Sequence, residues 1–82
     1  MYFDYYDYFY KVAYLGNITK AANEIHISQS ALSKAILKLE KSLDCQLFYR
    51  IPKGVKLTPA GEVLYEGVKK SIALMASTNQ QI

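Results

Sequence analysis

Two stretches of helical apolar periodicity stand only three residues apart, and this spacing most limits what the sequence can become. Ile18, Ala21, Ala22 and Ile25 share one face of a short segment that Asn17 can cap. Leu32, Ala35, Ile36, Leu39 and Leu43 share one arc of a longer segment, from Gln29 to about Leu43, for which Ser28 is a good N-cap. The link is His26-Ile27-Ser28. Two helices joined so tightly, the second with a polar outer face, make a helix-turn-helix.

The flanking sequence completes the architecture. Phe3, Tyr6, Phe9 (with Tyr10) and Ala13 recur at helical spacing, predicting a first helix from about Phe3 to Leu15 that Gly16 stops. Beyond residue 45 the period changes to two. Gln46–Arg50 and Val55–Leu57 read as short strands around the turn Pro52-Lys53-Gly54. Thr58 caps a last helix with Pro59 at its first position and Glu62 in its first turn. Its stripe of Leu64, Val68, Ile72 and Met75 runs toward the end of the chain. The expected fold is therefore mainly α, a winged helix-turn-helix of three helices, a two-stranded wing and a long C-terminal helix. Residues 1–58 form the compact unit and residues 59–82 a linker or dimerisation helix.

Eighty-two residues make one domain, burying roughly 60–65% of the surface that the unfolded chain exposes. Small domains of this kind are reinforced by staples or by association. One cysteine, Cys45, and one histidine, His26, exclude a disulfide or a Cys/His metal site built within the chain. Association remains. The N-terminal stretch carries Asp4 and Asp7 and no basic residue before Lys11, unlike a signal peptide, and no apolar run approaches bilayer length, so a soluble cytoplasmic protein is expected. No nucleophile–base set, phosphate-cradling glycine loop or carboxylate cluster is present in the sequence; neither catalysis nor a cofactor is expected.

The formal net charge of +3 is concentrated. Between residues 19 and 57, Lys20, Lys34, Lys38, Lys41, Arg50, Lys53 and Lys56 outnumber Glu24, Glu40 and Asp44, whereas the flanking segments are acidic or balanced. A localised basic stretch is what a polyanion footprint requires, although scattered solubilising lysines produce the same count. Position adds the chemistry. A helix fits the DNA major groove with its N-terminal residues near base edges. Gln29 can bond adenine at two positions, Ser30 and Ser33 are short enough for close approach, and Lys34 reaches guanine or phosphate. Lys38 and Lys41 lie farther along, suited to backbone phosphates or simply to solvent. The N-terminus at Ser28 can hold a phosphate. The turn at Lys53, with Arg50 and Lys56 beside it, is either a wing lying on the sugar-phosphate backbone or minor groove, or a solvated turn.

Several motifs occur in order: Gly16-Asn17-Ile18-Thr19-Lys20-Ala21-Ala22, Ile27-Ser28-Gln29-Ser30-Ala31-Leu32-Ser33-Lys34, Leu39-Glu40, Leu47-Phe48-Tyr49-Arg50 and Leu57-Thr58-Pro59-Ala60-Gly61-Glu62. Together, over roughly residues 3–76, they resemble the LysR-type transcriptional regulators. The resemblance implies base- or groove-contacting roles for Gln29, Ser30, Ser33 and Lys34, phosphate contacts for Thr19 and Ser28, and wing positions for Arg50 and Lys53. It also implies pairing of two subunits through the helix beginning at Pro59, and an interrupted palindromic operator. Members of the family continue into an effector-binding domain of two α/β lobes, so this chain is expected to be the DNA-binding portion, with any small-molecule effector acting through a domain outside it.

Departures from the family pattern are local. Ser30 stands where proline is common, Leu37 occupies the polar arc, Asp44 replaces a helix-ending glycine, and Gly67 weakens the last helix by roughly 1 kcal/mol relative to alanine. Leu37 can meet a thymine methyl or serve no role. Six of the eight tyrosines fall within the first fourteen residues, too many for one small core. Part of this belt, Tyr5 and Tyr8 in particular, is expected to pack against a partner's last helix near Leu64, Tyr65, Val68 and Ile72, with exposed surface tyrosines as the alternative. His26 reads as a turn residue rather than a pH switch, and Cys45 as a small packing residue. A winged-helix module that binds protein instead of DNA is the competing function, separable by salt dependence.

Overall fold

A computed structural model describes residues 2–82, with side chains from Asp4 onward. Phe3, expected in the apolar stripe of the first helix, and Tyr2 therefore have side chains outside the described residues. The order is α1 (Tyr2–Leu15), α2 (Ile18–Ile25), α3 (Gln29–Leu43), β1 (Phe48–Ile51), β2 (Gly54–Leu57) and α4 (Pro59–Gln81). This is a winged helix-turn-helix.

Three of the helices, α2, α3 and α4, begin where a cap predicts. The Asn17 side chain accepts the Lys20 N–H at 2.9 Å, Ser28 Oγ accepts that of Ala31 at 3.0 Å, and Thr58 Oγ1 that of Gly61 at 2.9 Å. The exits are left-handed residues. His26 (φ 61°) ends α2 and Asp44 (φ 53°) ends α3, the latter sending its N–H back to Glu40 and Lys41 carbonyls.

The three helices meet over a core of Phe9 and Val12 from α1, Ile18, Ala21 and Ala22 from α2, and Leu32, Ile36 and Leu39 from α3. Leu47, Phe48 and Val55 close it from the wing side, the Phe9 and Phe48 rings meeting at 5.3 Å and 42°. Phe9, Val12, Leu32, Leu39 and Leu47 are fully buried, each contributing roughly 1.5–3 kcal/mol relative to exposure. Two expectations need correction. Val12, absent from the predicted stripe, is as buried as Phe9, whereas Tyr5, Tyr6, Tyr8 and Tyr10 are half-buried and Tyr14 is exposed. Leu43, expected inside, is 38% exposed, because the last turn of α3 runs past the core before Asp44 reverses the chain.

The wing is an antiparallel hairpin in the register Phe48↔Leu57 to Ile51↔Gly54, with Pro52-Lys53 at its tip. Its first strand starts two residues later than expected, since Gln46 and Leu47 make other bonds, described below. Gly54 (φ 146°) lies so close to the α1–α2 turn that a Cβ there would overlap the Gly16 carbonyl oxygen. α4 is about 34 Å long by helical rise, and gives the molecule extents of 43 × 27 × 23 Å. Only its first half touches the body: Leu64, Tyr65 and Val68 pack on the core margin, and Tyr65 stacks on Tyr10 at 4.9 Å with ring planes 6° apart. Burial first, then the neighbouring Tyr10 hydroxyl, push the Tyr65 phenol above its ordinary pKa of 10.0. No described helix is long and apolar enough to cross a membrane.

Candidate nucleic-acid interface

The outer arc of α3 faces solvent. Gln29, Ser30, Lys34, Lys38 and Lys41 are exposed, and Ser33 is half-buried where the helix meets the wing. Leu37, on the same arc, is 56% exposed. Ser28 Oγ, already capping α3, lies 3.3 Å from Ser30 Oγ, so two hydroxyls cluster where the helix dipole is positive.

The wing is fixed to this helix by bonds that bypass the hairpin ladder. Glu40, on the α3 side facing the wing, accepts the Leu47 N–H at 2.6 Å and the Phe48 N–H at 3.4 Å. The Leu47 carbonyl accepts the Thr58 N–H at 3.0 Å, while Thr58 Oγ1 donates to the Gln46 carbonyl at 2.6 Å. Val55 N–H donates to the Gly16 carbonyl at 3.0 Å, tying the second strand to the turn before α2. Buried backbone groups require partners, and here the partners hold the wing at a set angle. Glu40 was not singled out as a positioning residue in the sequence. Its only signal there is an acidic residue inside an otherwise basic stretch, and its partners lie seven and eight residues away.

Anchoring the wing brings the sequence-selected residues together in two places. The start of α2 (Asn17, Ile18 and Thr19), Gln29 and the wing from Arg50 to Val55 line a polar groove of about 280 Å³. This groove unites Thr19, Gln29, Arg50 and Lys53. Arg50 also reaches the adjoining hollow under the wing, which Ser33, Leu37 and Glu40 line. Lys34 and Lys38 lie on the opposite flank of α3, beside Tyr5 and Tyr8 of α1. Tyr5 and Tyr8 thus face α3; the tyrosines that face α4 in the same chain are Tyr6 and Tyr10. Asn17 is a groove residue not assigned to binding from the sequence, its carboxamide oxygen already used in the α2 cap.

Charge follows the same surface. Among the described residues the one ion pair joins Lys11 to Glu24, at 3.5 Å. Lys34, Lys38, Arg50 and Lys53 have no carboxylate at ion-pair distance among those residues, so their charge is directed outward. No group of three His, Cys, Asp or Glu side chains gathers to hold a metal among them. The arrangement suits a polyanion with a repeating charge, read by short polar side chains at the centre and held by cations on both sides.

The profile of a family described as "Bacterial regulatory helix-turn-helix protein, lysR family" matches residues 3–62. The HTH-type transcriptional regulator YofA of Bacillus velezensis is 43% identical over 67 residues, which are 82% of this chain and 23% of that protein. The nitrogen assimilation regulatory protein nac of Klebsiella aerogenes is 45% identical over 58 residues, 71% of this chain and 19% of its own length. This chain thus spans less than a quarter of these curated relatives. Among solved structures, a CbnR_DBD–DNA complex superposes with a TM-score of 0.86 at 31% identity, covering 99% of this chain and 93% of that one. The BenM_DBD/catB site 1 DNA complex does so with a TM-score of 0.82 at 33% identity, over 100% and 94% of the two chains.

Proposed function

This chain belongs to the LysR family of bacterial regulatory helix-turn-helix proteins, and on that premise we propose that it binds duplex DNA sequence-specifically and regulates transcription as a dimer. α3 enters the major groove. Gln29, Ser30 and Ser33 meet base edges, Lys34 reaches guanine or a phosphate bordering the groove, Thr19 and Ser28 hold phosphates at the starts of α2 and α3, and Lys38 lies along the backbone. Arg50 and Lys53 rest the wing on the backbone or in the neighbouring minor groove. The observation that carries this reading is the continuous groove joining Thr19, Gln29, Arg50 and Lys53, with no carboxylate paired to its cations among the described residues. The likeness to DNA-bound structures supports it.

Residues 1–58 serve as the reading unit and residues 59–82 as the pairing helix. α4 presents an apolar groove of about 510 Å³ with α1, lined by Tyr6, Leu64, Val68, Ile72 and Met75 among others, and its second half leaves Leu74 and Met75 exposed. A second copy pairs there, with Tyr65 beside the seam. Two α3 helices then face successive major grooves roughly 34 Å apart on an interrupted palindrome.

Selection of duplexes from a random library, followed by binding of variants to winners and losers, tests the proposal. Gln29→Ala and Ser33→Ala should narrow the gap between selected and unrelated DNA, by roughly tenfold or more for a lost base contact. Lys53→Ala should weaken both alike and flatten the salt slope by about one. Sequence-blind losses from all three would mean that α3 does not read bases.

A further inference from the structure

α3 has two flanks, and only one belongs to the wing. On the other, α1 and the turn before α3 form a shallow groove walled by Tyr5, Tyr8, Ile27, Ala31, Lys34 and Lys38. A helix about 10–12 Å across fills a major groove about 12 Å wide, so whatever protein lies to either side of it meets one of the two phosphate ridges bordering that groove. The wing occupies the position of one ridge. We infer that the Tyr5–Tyr8 groove seats the other: the sugar-phosphate strand on the far side of α3 from the wing.

The composition of the groove fits that occupant. Lys34 and Lys38, both exposed and a helical turn apart, stand on one wall, and neither has a carboxylate at ion-pair distance among the described residues. Tyr5 and Tyr8, also one turn apart, are half-buried on the other. Neither phenol takes part in a hydrogen bond among the described residues. A strand of duplex DNA offers both surfaces such a groove wants: phosphate oxygens for the two ammonium groups and the two hydroxyls, and apolar deoxyribose faces for the rings, Ile27 and Ala31. An apolar helix from another protein would be met by two unpaired cations. Tyr5 and Tyr8 thus act as positioning contacts that fix how deeply and at what tilt α3 sits, without reading sequence.

This inference rests on the DNA-binding reading, but it fails separately. The test compares the parent chain with Tyr5→Phe/Tyr8→Phe, a double variant that keeps the rings and their packing, on a library-selected duplex and on unrelated DNA. Losing hydroxyl bonds to charged phosphates should weaken both complexes by a similar factor, roughly tenfold or more for each hydroxyl, with the salt slope unchanged because no charge is lost. Lys38→Ala, by contrast, should lower the slope by about one. Methylphosphonate placed in turn at each phosphate bordering the major groove should reveal one position, on the strand away from the wing, where neutralisation abolishes the difference between parent and variant. Sedimentation of the variant should match the parent. If Tyr5→Phe/Tyr8→Phe binds as tightly as the parent, or loses affinity only because its dimer dissociates, the inference falls while the DNA-binding reading stands. If the parent itself binds no duplex, both fall together.

Discussion

At Gly61 an added methyl would overlap the Leu47 carbonyl oxygen and approach the Leu57 side chain to 2.9 Å, because the first turn of α4 lies directly against the segment leading into β1. Gly67, two turns on, is exposed and has nothing within 4 Å of the same hypothetical methyl. One residue type thus serves two purposes in one helix, and the substitutions should differ in sign. Gly61→Ala should destabilise by about 1–3 kcal/mol through forced displacement, whereas Gly67→Ala should stabilise α4 by about 1 kcal/mol through helix propensity. Thermal unfolding in dilute protein checks both; a neutral Gly61→Ala would contradict the close approach. The sequence alone showed the helix-weakening cost of Gly67 but no reason for Gly61, since the Leu47 carbonyl it approaches lies fourteen residues back. Val12 was not picked out, since helical spacing from Phe9 admits both Val12 and Ala13 and the stripe read from the sequence took Ala13; packing against the other helices decides for Val12.

Among the elements, those with a cap and a strong apolar period were read closely from the sequence. Asn17, Ser28 and Thr58 each start the helix they were expected to start. The hairpin was recognised, but not its origin. Gln46 and Leu47 continue the alternation of a strand, yet their backbone groups bond to Glu40 and Thr58 instead, a choice made by α3 and α4 rather than by the local pattern. α4 is the element whose sequence asks for more than its own chain supplies. Ile72 is 39% exposed and Met75 55%, continuing the strip of Leu64 and Val68, while Leu74, 69% exposed, lies on another side of the helix. Pairing through this strip predicts that sedimentation velocity shows a dimer, and that Ile72→Glu shifts it toward monomer without unfolding residues 4–58. A parent chain still monomeric at hundreds of micromolar would contradict pairing through α4.

For the molecule as a whole, the layout is a reading helix between two gripping flanks, with a pairing helix projecting from the rear. The order of elements and the basic middle segment were visible in the sequence. Which basic residue stands on which flank was not, because that depends on the side of α3 that each neighbouring element covers; Tyr5 and Tyr8, expected against a partner's last helix, face α3 within their own chain. The central claim, that the outward arc of α3 is the surface that meets duplex DNA, is tested most directly by following backbone amide resonances while a library-selected duplex is added. The account predicts the largest shifts from Ser28 through Lys38, with a second set at Thr19 and from Arg50 to Gly54, and little change along the exposed strip of α4. Silent amides over residues 28–38, with the shifts gathered instead on α4, would contradict it.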